Sequence, residues 1–313
     1  MARVMVTGGA GFLGSAIVGA LAARGDEVVA FDLVAGDALR RLAEAFPAVS
    51  LHMGEITEWP RIAALLRSER PQAIVHCAAI VGVAASVDAP FRTFQVNVEG
   101  SLNLMEAMRL FGVRRMVHIS SEETYGPFLA PKAAEDHPQR PLMPYGISKL
   151  AVEHLGRSYA GLHGIECIHL RTSWVYGPGL PRARIPKTIV EAALQGRPLH
   201  LAAGADFAVD HTHVSDVVQG VLLALDKESH PFDAYNIGSG EAPTLREIVE
   251  IVNALVPGAD LSVAPGEFTH AGGIPVVRKG ALDVTRARTV LGYAPRFDIR
   301  AGLAHYVEAL RDR

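Results

Sequence analysis

The segment "RVMVTGGAGFLGSAIVGALAARGDEVVAFD" constrains the fold more than any other part of the chain. An apolar run, "RVMVTG", gives way to glycines at Gly8, Gly11 and Gly14, then to a helical pattern from about Ser15 to Arg24, closed by Gly25. A second apolar run, "EVVAFD", follows and ends on an acid, Asp32. A strand that leads through glycines into a helix and on to another strand is the start of a parallel sheet, because parallel neighbours need a crossover of this length. The alternation continues through "VSLHMG", "AIVHCAA", "RMVHISS" and "CIHLRT", with helices predicted around Ile62, Leu65 and Leu66, over Asn97–Leu110 and over Tyr145–His163. This spacing predicts an α/β protein whose doubly wound parallel sheet is covered on both faces.

The second half is less regular. Proline and glycine cluster in "VYGPGLPRARIP", "GRPL" and "LVPGADLSVAPGEF", and helices are predicted to begin near Ile185, Ser215, Thr244 and Ile299. Thr244 and Glu247 have capping-box spacing, which marks one of those starts. "HVSDVV" and "AYNIGSG" read as elements returning to the large sheet. The expected organisation is two interleaved domains: residues 1–172 with about 214–240, and a smaller C-terminal substrate domain of about 173–213 with 241–313.

A chain of 313 residues, 49% hydrophobic and 20% charged, has the composition of an ordinary folded protein with a full core. Its net charge of −3 and scattered arginines provide no basic field, so nucleic acid and anionic membrane are not expected partners. The apolar N-terminal run is broken by glycines and by Arg24, Asp26 and Glu27, so neither a signal peptide nor a membrane span is read there. Cys77 and Cys167 lie in strand-like segments outside any CxxC or metal-like cluster. Two buried free thiols in a reducing cytoplasm are expected.

The glycines have a physical task in this context. Gly8 makes a tight turn, Gly11 lets the backbone approach a pyrophosphate, and Gly14 lets helix and strand pack closely, while the helix N-terminus offers amides to the anion. Asp32, at the end of the second strand, accepts hydrogen bonds from adenosine ribose hydroxyls, and its charge disfavours a 2′-phosphate. The expected ligand is therefore NAD rather than NADP, with Phe12, Leu13 and Leu33 adjoining this site.

The G-x-x-G-x-x-G spacing together with "YGISK" resembles the short-chain dehydrogenase/reductase superfamily. The order of "TGGAGFLG", "HCAA", "NVEGSLNLMEA", "HISSEETYG", "PYGISK", "LRTSWVYGPG", "HTHVSDV", "YNIGSG" and "LGYAPRFDIRAGL" is similar to its extended branch, the NAD-dependent epimerase/dehydratase family. That resemblance implies a Rossmann-type fold, Glu55 and Ile56 near the adenine, and Ala78, Ala79 and Asn97 along the cofactor groove. It also implies a homodimer built on the helices Asn97–Leu110 and Tyr145–His163, for which Leu150, Val152 and Leu155 offer apolar surface, although packing on the sheet demands many of the same residues.

Tyr145 and Lys149 are four apart on one helix and share a face. Oxidising an alcohol with NAD requires a base for the hydroxyl proton. A free tyrosine, with a pKa near 10, misses neutral pH by about three units, or roughly 4 kcal/mol. One cation at 4 Å in an effective dielectric of 20 supplies about 4 kcal/mol, so Lys149 together with the nicotinamide charge can close the gap. Tyr145 is thus the expected base and acid, Lys149 its electrostatic partner, and Ser121 the group that positions the substrate oxygen. Glu122 and Glu123 match the acidic pair with which the family's sugar-nucleotide dehydratases remove a proton beside the new ketone, although that pair usually has aspartate first. In an extended strand the two point oppositely, so at most one need face the substrate.

Two positions depart from the family pattern. Members that bind nucleotide diphosphate sugars usually carry an asparagine where this chain has Trp174, and an arginine where it has Val209. Both normally contact the diphosphate; Arg278 matches a second phosphate-binding arginine, and Arg182 or Arg184 stands nearby in sequence. Trp174 reads equally as core packing or as a substrate platform. His211 and His213 are two apart, but no third ligand cluster accompanies them and no metal is expected. The resemblance therefore implies an NAD-dependent epimerase or dehydratase acting on a carbohydrate hydroxyl, in first place that of a nucleotide sugar. The alternatives are a net dehydrogenase of a small sugar, sugar acid or polyol, and a non-catalytic NAD sensor.

Overall fold

Branched aliphatic runs form the strands and the intervening segments of helical period pack over them. In the structure, a computed structural model that describes residues 2–311, the order is β1 (Arg3–Thr7), α1 (Phe12–Arg24), β2 (Glu27–Asp32), α2 (Asp37–Ala45), β3 (Val49–Met53), α3 (Trp59–Glu69) and β4 (Ala73–His76). There follow α4 (Val83–Asp88), α5 (Pro90–Phe94), α6 (Gly100–Phe111), β5 (Arg115–Ser121), β6 (Lys132–Ala133), α7 (Pro144–His163), β7 (Glu166–Thr172) and β8 (Trp174–Tyr176). The remainder is α8 (Lys187–Leu194), β9 (Leu199–Leu201), β10 (His211–His213), α9 (Val214–Asp226), β11 (Ala234–Ile237), α10 (Leu245–Leu255), β12 (Leu261–Val263), β13 (Ala281–Leu282), α11 (Thr285–Leu291) and α12 (Ile299–Arg311).

The seven-stranded sheet has the order β11-β7-β5-β4-β1-β2-β3. β1 pairs in parallel with both β2 and β4, β2 with β3, and β4 with β5. The strand order reverses between β1 and β4, the switch point at whose carboxyl ends open α/β sheets bind ligands. One face is sealed by Met5, Val29, Ile74 and Met116 against Ile62, Leu66, Leu104, Met108 and Val152. Each such buried side chain contributes about 1.5–3 kcal/mol. Val152 is fully buried in this cluster and Leu155 packs against it, so α7 uses these residues to cover the sheet.

The helix that carries Tyr145 has well-marked ends. Pro144 occupies the first turn of α7, where a missing N–H is no loss, and Gly164 closes it in the left-handed conformation at φ 63°. Between α5 and α6 the chain makes one π-helical stretch, Gln95–Glu99, so α6 begins later than its sequence pattern predicts. Thr244 caps α10 with both halves of a capping box.

The chain divides into two compact units: Met1–Gly126 with Pro138–Arg171 and Val218–Tyr235, and Pro127–His137 with Thr172–Val217 and Asn236–Arg313. Pro127–His137 groups with the second unit because β6 pairs in parallel with β13. "HVSDVV" does not return to the large sheet, contrary to its sequence pattern: β10 pairs in parallel with β8 in a separate two-stranded sheet. Buried Asp210 anchors the strand start, accepting hydrogen bonds from the amides of Ser239, Gly240 and Leu282. The second unit has its own core, in which Tyr176, Ile189, Val190, Leu245, Ile248, Val252, Leu303 and Val307 pack together.

Candidate active site

β1 ends at Thr7, and the turn that follows requires glycine at two points. Gly8 has φ +69°, and a Cβ there would lie 2.7 Å from the amide nitrogen of Ala78. A Cβ on Gly14 would lie 1.9 Å from the carbonyl oxygen of Gly8, so only glycine lets α1 start this close to the loop. No side chain caps α1 and its first turn holds no acid. Its leading amides, at Phe12, Leu13 and Gly14, are those a helix leaves without intrahelical partners, beside the solvent-exposed Gly11. Asp32 is fixed as an acceptor: Ala10 N–H donates to Oδ2 at 2.9 Å and Leu33 N–H to Oδ1 at 2.7 Å. An uncapped helix end, a cradle that any Cβ would fill and an immobilised carboxylate fit a dinucleotide.

Of the other positions expected to line the cofactor groove, Ala78 adjoins this loop, its backbone lying closest to a Cβ on Gly8. Ala78 N–H donates to Thr7 Oγ1 at 3.3 Å, Ala79 follows it, and Ile56 packs under Gly100. Glu55 is engaged by Arg92 at 2.5 Å and by Thr57 at 3.0 Å. Asn97 is buried in the π-helical stretch, a feature frequent at functional sites. Its amide donates to Ile80 O and Ser148 Oγ, and its oxygen accepts from Ile80 N–H. Asn97 therefore ties the loop after β4 to α7.

β5 ends at Ser121, and the chain does not stay extended beyond it. Glu122–Tyr125 form a 3-10 turn capped by Ser121, whose Oγ accepts from Glu123 N–H at 3.2 Å. The hydroxyl keeps its own proton for donation. In such a turn neighbouring side chains are rotated by about a third of a circle, so the strand alternation expected for Glu122 and Glu123 does not hold; Glu122 is buried and Glu123 half-buried. A Cβ on Gly146 would lie 2.5 Å from Glu123 O. Gly146 thus lets the first turn of α7, with Tyr145, press against the turn that follows Ser121.

Tyr145 is buried, its amide donating to Ser86 Oγ at 3.1 Å. Lys149 is only 3% exposed. Its Nζ donates to Ile119 O at 2.7 Å and lies 3.4 Å from His118 Nε2. Burial lowers the ammonium to about 8, against the favourable influence of Cys77 and Glu153. Further along α7, Glu153 is gripped by Arg171 through Nε at 3.0 Å and Nη2 at 2.7 Å, and accepts from Ser120 Oγ at 2.7 Å. Burial opposes its charge, but Arg171 outweighs that and holds the carboxyl at about 2.

Sequence reasoning missed the support of this site. Thr7 Oγ1 lies 2.7 Å from His76 Nδ1, His76 Nε2 lies 2.8 Å from Ser101 Oγ, Ser101 bonds Asn97 O, and Ser148 bonds both Asn97 and Tyr145 O. A continuous buried chain thus runs from the glycine-loop strand to the helix of Tyr145 and Lys149.

In the second unit Trp174 is 4% exposed, surrounded by Phe207, His211, Phe268 and His270. Arg184 stacks its guanidinium 4.2 Å from the Trp174 ring centre, a cation–π contact. Val209 is buried, whereas the Arg278 side chain is exposed and its carbonyl accepts from Phe128 N–H. His211 Nδ1 lies 2.9 Å from Val209 O, and His213 Nδ1 lies 2.8 Å from Ser215 Oγ. Among the described residues no three His, Cys, Asp or Glu side chains gather as a metal-ion set, and no helix is long and apolar enough to cross a membrane.

Residues 4–238 match the NAD dependent epimerase/dehydratase family. The UDP-glucose 4-epimerase of Mycolicibacterium smegmatis is 33% identical over 317 residues, covering 99% of each chain. The dTDP-glucose 4,6-dehydratase of Actinoplanes sp. is 32% identical, covering 97% of this chain and 96% of its own. The crystal structure of Thermus thermophilus UDP-glucose 4-epimerase in complex with NAD is similar with a TM-score of 0.86 at 32% identity, covering 99% of each chain. With the glycine cradle, the fixed Asp32 and the buried Tyr145 and Lys149, these likenesses lead to one conclusion: the chain belongs to the NAD-dependent epimerase/dehydratase family, as an enzyme whose cofactor is NAD.

Proposed function

We propose that the enzyme oxidises a hydroxyl of a nucleotide sugar to a transient ketone, then completes either an epimerisation or an elimination of water, with its cofactor retained throughout. The observation that carries this reading is the buried ammonium of Lys149, one helical turn after Tyr145 and without an ion-pair partner among the described residues. Burying such a charge is costly, and a tyrosinate on the same helix face offsets that cost.

Gly8, Gly11, Phe12, Leu13, Gly14, Asp32 and Leu33 hold the pyrophosphate and ribose, and Glu55, Ile56, Ala78, Ala79 and Asn97 complete the groove. Bound NAD supplies the oxidising power, taking up and giving back two electrons with a proton. Tyr145 removes the hydroxyl proton and returns it, Lys149 holds down its pKa, and the Ser121 hydroxyl donates to the substrate oxygen. For elimination, Glu122 and Glu123 provide the carboxyl groups, and the second unit offers for the substrate's handle the exposed Arg278 and, through the Arg184 guanidinium stacked on it, the buried Trp174. Incubation of the NAD-loaded protein with UDP-glucose, UDP-galactose and dTDP-glucose, followed by proton NMR, tests the reading. A new sugar from any of them, absent with Tyr145→Phe, supports it; no turnover of a nucleotide sugar points to a second reading.

That second reading, a net dehydrogenase of a small sugar, sugar acid or polyol, is favoured by one observation. Trp174 and Val209 are both buried where the family resemblance expects polar groups for a diphosphate, and an anion with two phosphates demands several donors. Association as a homodimer is supported by exposed Leu102, Leu110, Ile147 and Leu162 on α6 and α7; light scattering at micromolar protein tests it. The thiols of Cys77 and Cys167, which burial pushes up to about 12, are compatible with the reducing cytoplasm.

A further inference from the structure

Lys149 has a polar neighbour that neither the glycine cradle nor the Tyr-x-x-x-Lys pattern explains. His118 presents Nε2 to Lys149 Nζ at 3.4 Å, and its other nitrogen, Nδ1, lies 3.1 Å from His169 Nδ1. All three side chains are buried. His169 Nε2 makes no hydrogen bond with another described group. It lies against α7 at Gly156, where a Cβ would fall 2.7 Å from it.

The proton inventory of this array is restrictive. Two facing Nδ1 atoms of neutral imidazoles share one proton. If His118 carries it, the His118 Nε2 lone pair accepts from a Lys149 ammonium and the His169 proton sits on Nε2. If His169 carries it, the His118 proton moves to Nε2 and points at Lys149, which must then be a neutral amine. The tautomer of the pair is therefore coupled to the charge on Lys149. The charged form of Lys149 is the one that acidifies Tyr145.

Other charges around the array are few and placed. Lys149 is faced by His76 and Cys77 from β4 and its adjoining residue, by His118 from β5, and by Glu153 from its own helix. His169 senses Glu153 and Arg157 from α7, Arg171 from its own strand, and Asp233. Glu153 is already committed to Arg171. His118 Nε2 is thus the one group besides Ile119 O within hydrogen-bond reach of Lys149 Nζ among the described residues.

We propose that His118, backed by His169, is a positioning residue for the reaction: as the Nδ1–H tautomer it holds Lys149 in its ammonium form and so keeps Tyr145 acidic. This rests on the reading of Tyr145 as the base. The pair contributes through orientation and charge and touches neither substrate nor cofactor in its role.

The test is a titration of tyrosinate by ultraviolet absorbance in the NAD-saturated protein, with Tyr145→Phe subtracted to isolate Tyr145. His118→Phe is expected to raise the Tyr145 pKa by about one unit, and His118→Gln, which restores an acceptor, to recover part of that shift. A Tyr145 titration unchanged by His118→Phe overturns the proposal. If no near-neutral titration is assigned to Tyr145 in the unaltered protein, the base reading fails first and the proposal with it. Because His118→Phe can fail to fold, nitrogen-15 NMR of the unaltered protein gives an independent check. Protons on His118 Nδ1 and His169 Nε2 at neutral pH support the proposal; the opposite tautomers overturn it.

Discussion

The two units of the chain treat buried polarity differently: of the buried polar side-chain atoms without a hydrogen bond among the described residues, His52 Nε2 and His169 Nε2 lie in the first and the rest in the second. In the first, Thr7, His76, Ser101, Asn97 and Ser148 close on one another, and Glu153 is bonded on both oxygens. In the second, Ser173 Oγ, Trp174 Nε1, Tyr176 Oη, His211 Nε2 and His213 Nε2 are buried without a hydrogen bond to another described group. Each such atom costs about 1–3 kcal/mol. The first unit uses this polarity to tie the glycine-loop strand to the helix of Tyr145 and Lys149. The second keeps polar capacity that its own fold does not consume, concentrated around Trp174 where this chain departs from the family pattern. The two units are thereby under different physical constraints.

Acid gives the largest expected effect and tests the first unit's network as a whole. Burial holds His76 at about 3 and His169 at about 4, and holds His118 well below its ordinary 6.5. Between those values and 6.5 the unfolded chain binds protons that the folded one refuses, so stability is lost as pH falls from about 6.5 toward 4. Each histidine contributes a slope of about 1.4 kcal/mol per pH unit in that window. Urea midpoints measured from pH 7.5 to 4.5 should fall steeply, and a flat profile would show that the network opens to water. The second unit adds His211 and His213 with the same sign, so replacing His76 with Leu should flatten the curve without abolishing it.

Tyr145→Phe comes next. It is expected to lower kcat by about 10²–10⁴ while NAD affinity and Tm stay close to those of the unaltered protein. A Trp174→Phe variant should change KM far more than kcat; equal losses of kcat in both variants would break the proposed division of labour. Arg171→Met leaves the buried Glu153 with Arg157 still paired to it at 3.1 Å, so the loss, read as a lower urea midpoint, should stay below that of an uncompensated buried charge, about 3–5 kcal/mol.

The smallest effects compare single polar groups. Asn97→Leu leaves the Ile80 N–H and C=O without their Asn97 partner, Ser148 keeping its bond to Tyr145 O, and should destabilise by about 2–3 kcal/mol. Trp174→Phe removes an indole N–H that makes no hydrogen bond among the described residues, so its cost, about 1–2 kcal/mol, comes from lost ring packing alone, and a cost above that of Asn97→Leu in urea titrations would erase the contrast.

The parts of this arrangement that were legible in the sequence are those with a local pattern. The glycine turn, the acid ending β2, the Tyr145–Lys149 spacing and the Thr244 cap are each written within a few residues. The turn at Glu122–Tyr125 was also signalled, since Ser121 is a good cap residue, but the preceding strand pattern masked it. His118 and His169 are 51 residues apart and meet only because β5 and β7 are adjacent in the sheet. Each alone looks like one inward position of a strand. β8 and β10 are three residues long, too short for a period to reveal which strand they pair with. The contacts of Trp174 with Phe207, Phe268 and Arg184 come from three separate loops and had no local signature.

Transient oxidation with cofactor retention is tested most directly by following NADH absorbance through a turnover of the NAD-loaded enzyme, with UDP-glucose and dTDP-glucose supplied in excess. The predicted result is a changed sugar with absorbance that never exceeds one equivalent of enzyme and returns to baseline. Free NADH accumulating in proportion to the sugar consumed would contradict it and identify a net dehydrogenase.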